Sequence, residues 1–114
     1  MFPINGENLT ALIPQKHPFV LISSLQEIND NTCVTSFSFS AEHVLCEGGK
    51  LSSAGLLENM AQSAGCKIGY EDFMKGKKHS AGFIGEVRYG AFSRLPEVGE
   101  TLTTIVTIEN KVFG

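Results

Sequence analysis

The chain has 114 residues, enough for one hydrophobic core and too few for two. An apolar fraction of 42% beside 18% charged residues excludes a disordered chain. A net charge of −3 argues against nucleic acid as the main partner. Lys75, Lys77 and Lys78 form the only basic run, read as a solvated loop or, more sharply, as a contact for an acidic carrier protein. Cys33, Cys46 and Cys66 are widely spaced, with no Cys-x-x-Cys pair and no histidine at metal-ligand distance, so neither a disulfide scaffold nor a metal site is expected. No signal peptide and no run long enough to span a membrane is visible, which points to a reducing cytosol.

In chain order, Asn8 can cap a helical turn through Leu9, Leu12 and Ile13, ended by Pro14. Pro18 keeps His17 out of helix and leads into an expected strand from Val20 to Ile28. Asn29-Asp30-Asn31 is a turn cluster, and Thr32 to Phe39 alternates as a half-buried strand hairpinned to the first. Periodicity is lost from Ser40 to Ser53, where Gly48-Gly49 marks a loop and Ser52 or Ser53 caps the next helix.

That helix is expected from about Ala54 to Phe73, rich in Gly and Ala in a way that suits close packing on every side. A turn at Lys75-Gly76-Lys77-Lys78 precedes a long strand from about Ser80 to Phe92, and Pro96 with Gly99 turns the chain into a last strand from Thr101 to Phe113. Strands arranged around one long helix predict an α+β domain with an antiparallel sheet, spanning residues 1–114 as a single unit.

Glu58 is the residue that most invites a chemical reading. A helical wheel places it on a narrow stripe with Ala54, Ala61 and Gly65, next to a stripe of Leu57, Ala64 and Ile68. A carboxylate on the small-residue face of a core helix must be paired, protonated or used, because desolvating its charge is costly. The plainer alternative is a rim carboxylate near the helix start. No nucleophile elbow, P-loop or dinucleotide fingerprint is present. Phe37, Phe39, Phe83 and Phe92 lack a basic groove and are assigned to the core and an apolar tunnel.

Three segments resemble the 3-hydroxyacyl-acyl-carrier-protein dehydratases. Pro14-Gln15-Lys16-His17-Pro18-Phe19-Val20-Leu21-Ile22 is similar to their opening Pro-His-Arg-x-Pro-Phe/Met motif. Gly55-Leu56-Leu57-Glu58-Asn59-Met60-Ala61-Gln62 resembles their helix motif, and the stretch from Gly82, ending Arg94-Leu95-Pro96-Glu97-Val98-Gly99-Glu100, their strand and Arg-Pro-x-x-x-Gly-Asp turn. The resemblance implies a hotdog fold, a long helix wrapped by an antiparallel sheet, with protomers paired edge to edge and active sites between them. It implies that a histidine removes the C2 proton of a 3-hydroxyacyl thioester while a helix carboxylate protonates the departing 3-hydroxyl. Backbone N–H groups at the helix start would polarise the thioester carbonyl.

Carried onto this chain, the resemblance gives Glu58 the acid position and lets Gln62 orient the site. His17, Phe19 and Gly55 fall where substrate would be contacted. The family's His-Phe-Pro-Gly loop is missing: fourteen residues before Glu58 stands Val44, and His43, one position away, is the candidate base. A branch associated with polyene-type and lipid pigment pathways also lacks that loop, and this chain resembles it more closely. The family continues for two strands beyond the point where this sequence stops at Gly114, so a trimmed chain is expected.

The implied substrate travels on the phosphopantetheine arm of acyl carrier protein, with no metal and no dissociable cofactor, and the implied assembly is a homodimer or a heterodimer with a paralogue. Two rival readings remain, a hotdog thioesterase in which the helix acid activates water, and an inactive acyl-binding subunit paired with an active partner.

Overall fold

The computed structural model describes residues 2–76 and 94–107. Strands β1 (Ile4–Asn5), β2 (Ser24–Ile28), β3 (Thr32–Phe37) and β6 (Leu102–Thr107) form one sheet in the order β1-β2-β3-β6. Every pairing in it is antiparallel. A short helix α1 (Gly6–Thr10) follows β1, a hairpin is made by β4 (Cys46–Glu47) and β5 (Lys50–Leu51), and the long helix α2 (Ser53–Met74) packs on β3 and β6. At 1.5 Å per residue, the 22 residues of α2 extend about 33 Å.

The alternation in Thr32–Phe37 acts as expected: Cys33, Thr35 and Phe37 are buried, while Thr32, Val34 and Ser36 are half-buried on the other face. Its hairpin with β2 forms around the Asn29 side chain, whose Oδ1 accepts the N–H groups of Asn31 and Thr32. β6 continues the ladder on the other edge of β3, in register from Thr32 opposite Thr107 to Phe37 opposite Leu102.

Several boundaries differ from those read in the sequence. The first helix starts after Asn5, and Asn8 lies inside it. The strand expected from Val20 begins only at Ser24, because the backbone before it is bound by side chains of α2 instead of by a neighbouring strand. β3 ends at Phe37, since the Ser38 N–H donates to Ser23 Oγ at 3.0 Å. The stretch read as a loop contains the β4–β5 hairpin, with Gly48 and Gly49 both at positive φ (58° and 79°), as a tight two-residue turn requires. The strand expected over 80–92, His79, Phe83, Phe92, and the end of the last strand lie outside the described residues.

Helix α2 starts where the sequence placed it, with Ser52 as the cap: its Oγ accepts the Gly55 N–H at 3.1 Å. Its buried face is not the one the wheel selected. Leu56, Asn59, Ser63 and Cys66 point inward, joined by Gly55, Gln62, Lys67 and Gly69. Ala54 and Leu57 are exposed, and Glu58, Ala61 and Gly65 sit at the margin. The buried face is largely polar, and a search for apolar periodicity cannot find a face built from satisfied amides and hydroxyls.

The core divides in two. Leu9, Leu12, Ile13, Val20, Ile22, Leu25, Cys33 and Cys66 form one cluster; Leu21, Phe37, Phe39, Leu51 and Leu56 form the other. Extended backbone at residues 20–22 sends successive side chains to opposite sides, so this short segment feeds both clusters.

Candidate active site

The segment from Phe19 to Leu21 is clamped by the buried amides of α2. Gln62 Oε1 accepts the Leu21 N–H at 2.7 Å, and Gln62 Nε2 donates to the Phe19 carbonyl at 2.8 Å. Asn59 Nδ2 donates to the Leu21 carbonyl at 2.7 Å, and Asn59 Oδ1 accepts from Thr104 Oγ1 of β6 at 2.6 Å. Ser63 Oγ donates to the Asn59 carbonyl and meets Thr35 Oγ1 of β3, both at 2.7 Å. Buried polar groups are costly unless paired, and these side chains satisfy one another and the backbone beside them.

Glu58 belongs to this network. Gln62 Nε2 donates to Glu58 Oε2 at 3.2 Å, so one amide holds the carboxylate and the Phe19 carbonyl together. Glu58 is half-buried, one helical turn before Gln62, with its carboxylate at the edge of the buried face.

His43 lies in the loop before β4, with its ring edge-on to Phe37 at 5.6 Å between centroids. Its Nδ1 accepts the Leu45 N–H at 3.1 Å, and its Nε2 lies 3.2 Å from the Val20 carbonyl. A backbone N–H can only donate and a carbonyl can only accept, so the ring carries its proton on Nε2 and both nitrogens are engaged. His17 and His43 line one cavity of about 440 Å³ that also meets Val20, Phe37, Phe39 and Glu42. Phe19 is 59% exposed beside it in sequence, and its backbone, not its ring, is the part fixed by α2.

Gly55 packs the start of α2 against the hairpin. A Cβ there would stand 2.7 Å from Leu51 Cδ1 and 3.1 Å from Leu45 Cβ. Its N–H is taken by Ser52 Oγ, so this donor is committed to the helix cap. Lys67 was not singled out from sequence. It is fully buried, with Nζ 2.7 Å from Glu71 Oε2, an i,i+4 pair at the far end of the polar face. Burial pushes the Cys33 thiol up to about 11, partly offset by Lys67, and the Cys66 thiol up to about 12. Both are core thiols, protonated at neutral pH. Among the described residues no group of His, Cys, Asp and Glu could hold a metal ion, and no helix is long and apolar enough to cross a membrane.

A family model described as ApeP dehydratase, of the ApeP-like family, matches residues 7–111. The chain belongs to the ApeP-like dehydratase family. Among solved structures it is similar to the dehydratase heterocomplex ApeI:P from Xenorhabdus doucetiae. That likeness has a TM-score of 0.68 and 21% identity, covering 91% of this chain and 72% of the other. At that identity it shows the fold, and it confirms the hotdog-type arrangement of one long helix against an antiparallel sheet. Comparison with curated proteins gives no match.

Proposed function

We propose that this ApeP-like chain dehydrates a 3-hydroxyacyl thioester, carried by acyl carrier protein, to the trans-2-enoyl product in fatty-acid or polyene-type lipid biosynthesis. The observation that carries the reading is the Gln62 bridge, which fixes the Glu58 carboxylate against the Phe19–Leu21 segment at the edge of a polar helix face. Glu58 donates the proton that lets the 3-hydroxyl leave as water. His43 is the proposed base for the C2 proton, a task suited to imidazole near neutral pH, and it lines a cavity together with His17. The thioester arrives on a phosphopantetheine arm, and no other cofactor enters the reaction.

The assembly we propose is a pair of hotdog subunits. The similar structure is a dehydratase heterocomplex, which supports a paralogous partner over a second copy of this chain. A second reading, an inactive acyl-binding subunit serving an active partner, is favoured by one observation: both ring nitrogens of His43 are already bonded to backbone.

The test follows enoyl absorbance with 3-hydroxyacyl carrier protein, using the chain alone and with its partner. Glu58→Gln is expected to lower turnover by about 10²–10⁴-fold, the usual contribution of a positioned acid. Carrier-protein binding without turnover in any assembly would establish the inactive-subunit reading, and release of free thiol would establish the thioesterase.

A further inference from the structure

We infer that Asn59 is a positioning residue for the acid: by holding the Leu21 carbonyl it fixes which end of the Gln62 amide faces Glu58, and so which carboxyl oxygen delivers the proton. The inference rests on the dehydratase reading above. It goes beyond that reading by adding a residue outside the acid and the base, and by assigning the atom of Glu58 that reacts.

A side-chain amide has a donor end and an acceptor end, and turning it over exchanges them. At Gln62 the choice is made by backbone chemistry. The Leu21 N–H can only donate, and its nitrogen stands 2.7 Å from Oε1; the Phe19 carbonyl can only accept, and it stands 2.8 Å from Nε2. The same Nε2 lies 3.2 Å from Glu58 Oε2, so the group presented to the carboxyl is an N–H. Oε2 is thereby committed as an acceptor, and a proton carried by Glu58 resides on Oε1. As that proton leaves, the new carboxylate keeps the Gln62 N–H on Oε2, and a hydrogen bond to a charged acceptor is roughly twice as strong as one to a neutral group.

This arrangement depends on where Leu21 stands. Asn59 and Gln62 lie three residues apart on the buried face of α2 and grip both backbone groups of Leu21, the carbonyl through Asn59 Nδ2 at 2.7 Å and the N–H through Gln62 Oε1. Asn59 is itself held: its Oδ1 accepts from Thr104 Oγ1 at 2.6 Å, and its backbone carbonyl accepts from Ser63 Oγ at 2.7 Å. Leu21, Asn59 and Gln62 are at most 1% exposed, so bulk water does not replace a lost partner there. Without the Asn59 donor the Leu21 carbonyl turns to find another partner, the Leu21 N–H leaves Oε1, and the Gln62 amide is free to rotate. Rotation puts its carbonyl oxygen against Glu58 Oε2 and pushes the carboxyl out of place.

The step balances as follows. The base takes the C2 proton, and the C2–H electron pair becomes the C2=C3 double bond as the C3–O bond breaks. The proton on Glu58 Oε1 joins the leaving hydroxyl to give water. The protonated base then returns its proton through solvent to the Glu58 carboxylate.

The test compares two substitutions at Asn59 with a core control in the purified assembly, by enoyl absorbance with 3-hydroxyacyl carrier protein below the melting temperature of each variant. Asn59→Asp keeps the shape and exchanges the donor for an oxygen; Asn59→Ala deletes the donor without adding charge. Both should lower kcat by about 10²-fold at little change in KM, the scale of a small misplacement away from the chemistry. Cys66→Ala, a core substitution about two turns along the same helix, should lower the melting temperature and keep kcat. A proton–nitrogen correlation spectrum supplies the readout besides activity. In the unmutated assembly the Gln62 side-chain amide hydrogens, bonded to Phe19 and Glu58, should stand away from the position of a free amide. In both Asn59 variants they should return toward it, and in Cys66→Ala they should hold still. Free-amide resonances for Gln62 in the unmutated assembly, wild-type kcat in either folded Asn59 variant, or an equal loss of kcat in Cys66→Ala overturns this inference and leaves the dehydratase reading intact. Absence of turnover by the unmutated assembly overturns the dehydratase reading, and the role of Asn59 in catalysis with it.

Discussion

Leu21 shows at the scale of one residue how this fold replaces a strand pairing with side chains. Its N–H goes to Gln62 and its carbonyl to Asn59, the two hydrogen bonds that an adjacent strand would supply. Asn59 is fully buried and also receives Thr104 Oγ1 from β6, so it joins three parts of the chain. Asn59→Leu would leave the Leu21 carbonyl and the Thr104 hydroxyl without their partner in the interior. Each such group costs about 1–3 kcal/mol, so a loss of about 2–6 kcal/mol is expected. Urea unfolding followed by circular dichroism measures it, and an unchanged midpoint would mean that neither bond matters. The hydrogen bond between Glu58 and Gln62 was legible in the sequence, because the two stand at i,i+4 spacing on one helix. Asn59 was not, because its importance lies in two partners 38 and 45 residues away, and no local pattern encodes that.

At the scale of the element, α2 was legible in extent and misread in orientation. Its length and cap follow from Ser52 and an uninterrupted run without Pro, which local chemistry decides. Which side turns inward depends on tertiary partners for Asn59, Gln62, Ser63 and Lys67, and apolar residues spread around the helix gave no contrary signal. The helix glycines make a test of packing against intrinsic propensity. Ala is about 1 kcal/mol better than Gly inside a helix. Gly65 has nothing within 4 Å of an added Cβ among the described residues, so Gly65→Ala should stabilise by about that amount. At Gly55 the same methyl would meet Leu51 Cδ1 at 2.7 Å and Leu51 Cγ at 3.0 Å, forcing the hairpin away from the helix start. Overpacking of this kind costs about 1–3 kcal/mol, so Gly55→Ala should destabilise despite its better propensity. Thermal melts of the two variants side by side decide the point, and a shift of the same sign in both would refute it.

At the scale of the whole molecule, proton linkage bounds the pH range in which the fold is stable. On the acid side, bidentate hydrogen bonds from the Arg94 guanidinium and the Glu97 N–H hold the Glu100 carboxyl down at about 2, against an ordinary 4.5. The folded state therefore binds that proton less tightly than the unfolded chain. The contribution is fully present above pH 4.5 and is lost as pH falls toward 2. Both partners of this pair face solvent, so salt should weaken it, and Glu100→Gln should flatten the acid limb. The alkaline side has the opposite sign and a different cause. Burial raises Cys33 to about 11 and Cys66 to about 12 from an ordinary 9.0, so the folded state keeps thiol protons that the unfolded chain releases. Their contribution is complete below pH 9.0 and is lost between there and about pH 12. Because both side chains are fully buried, solvent does not screen the effect, and the loss should reach several kcal/mol. Equilibrium unfolding from pH 8 to 11 should show falling stability, and Cys66→Ala should remove part of the slope while costing some packing at every pH. An identical slope in that variant would show that the alkaline limb has another origin.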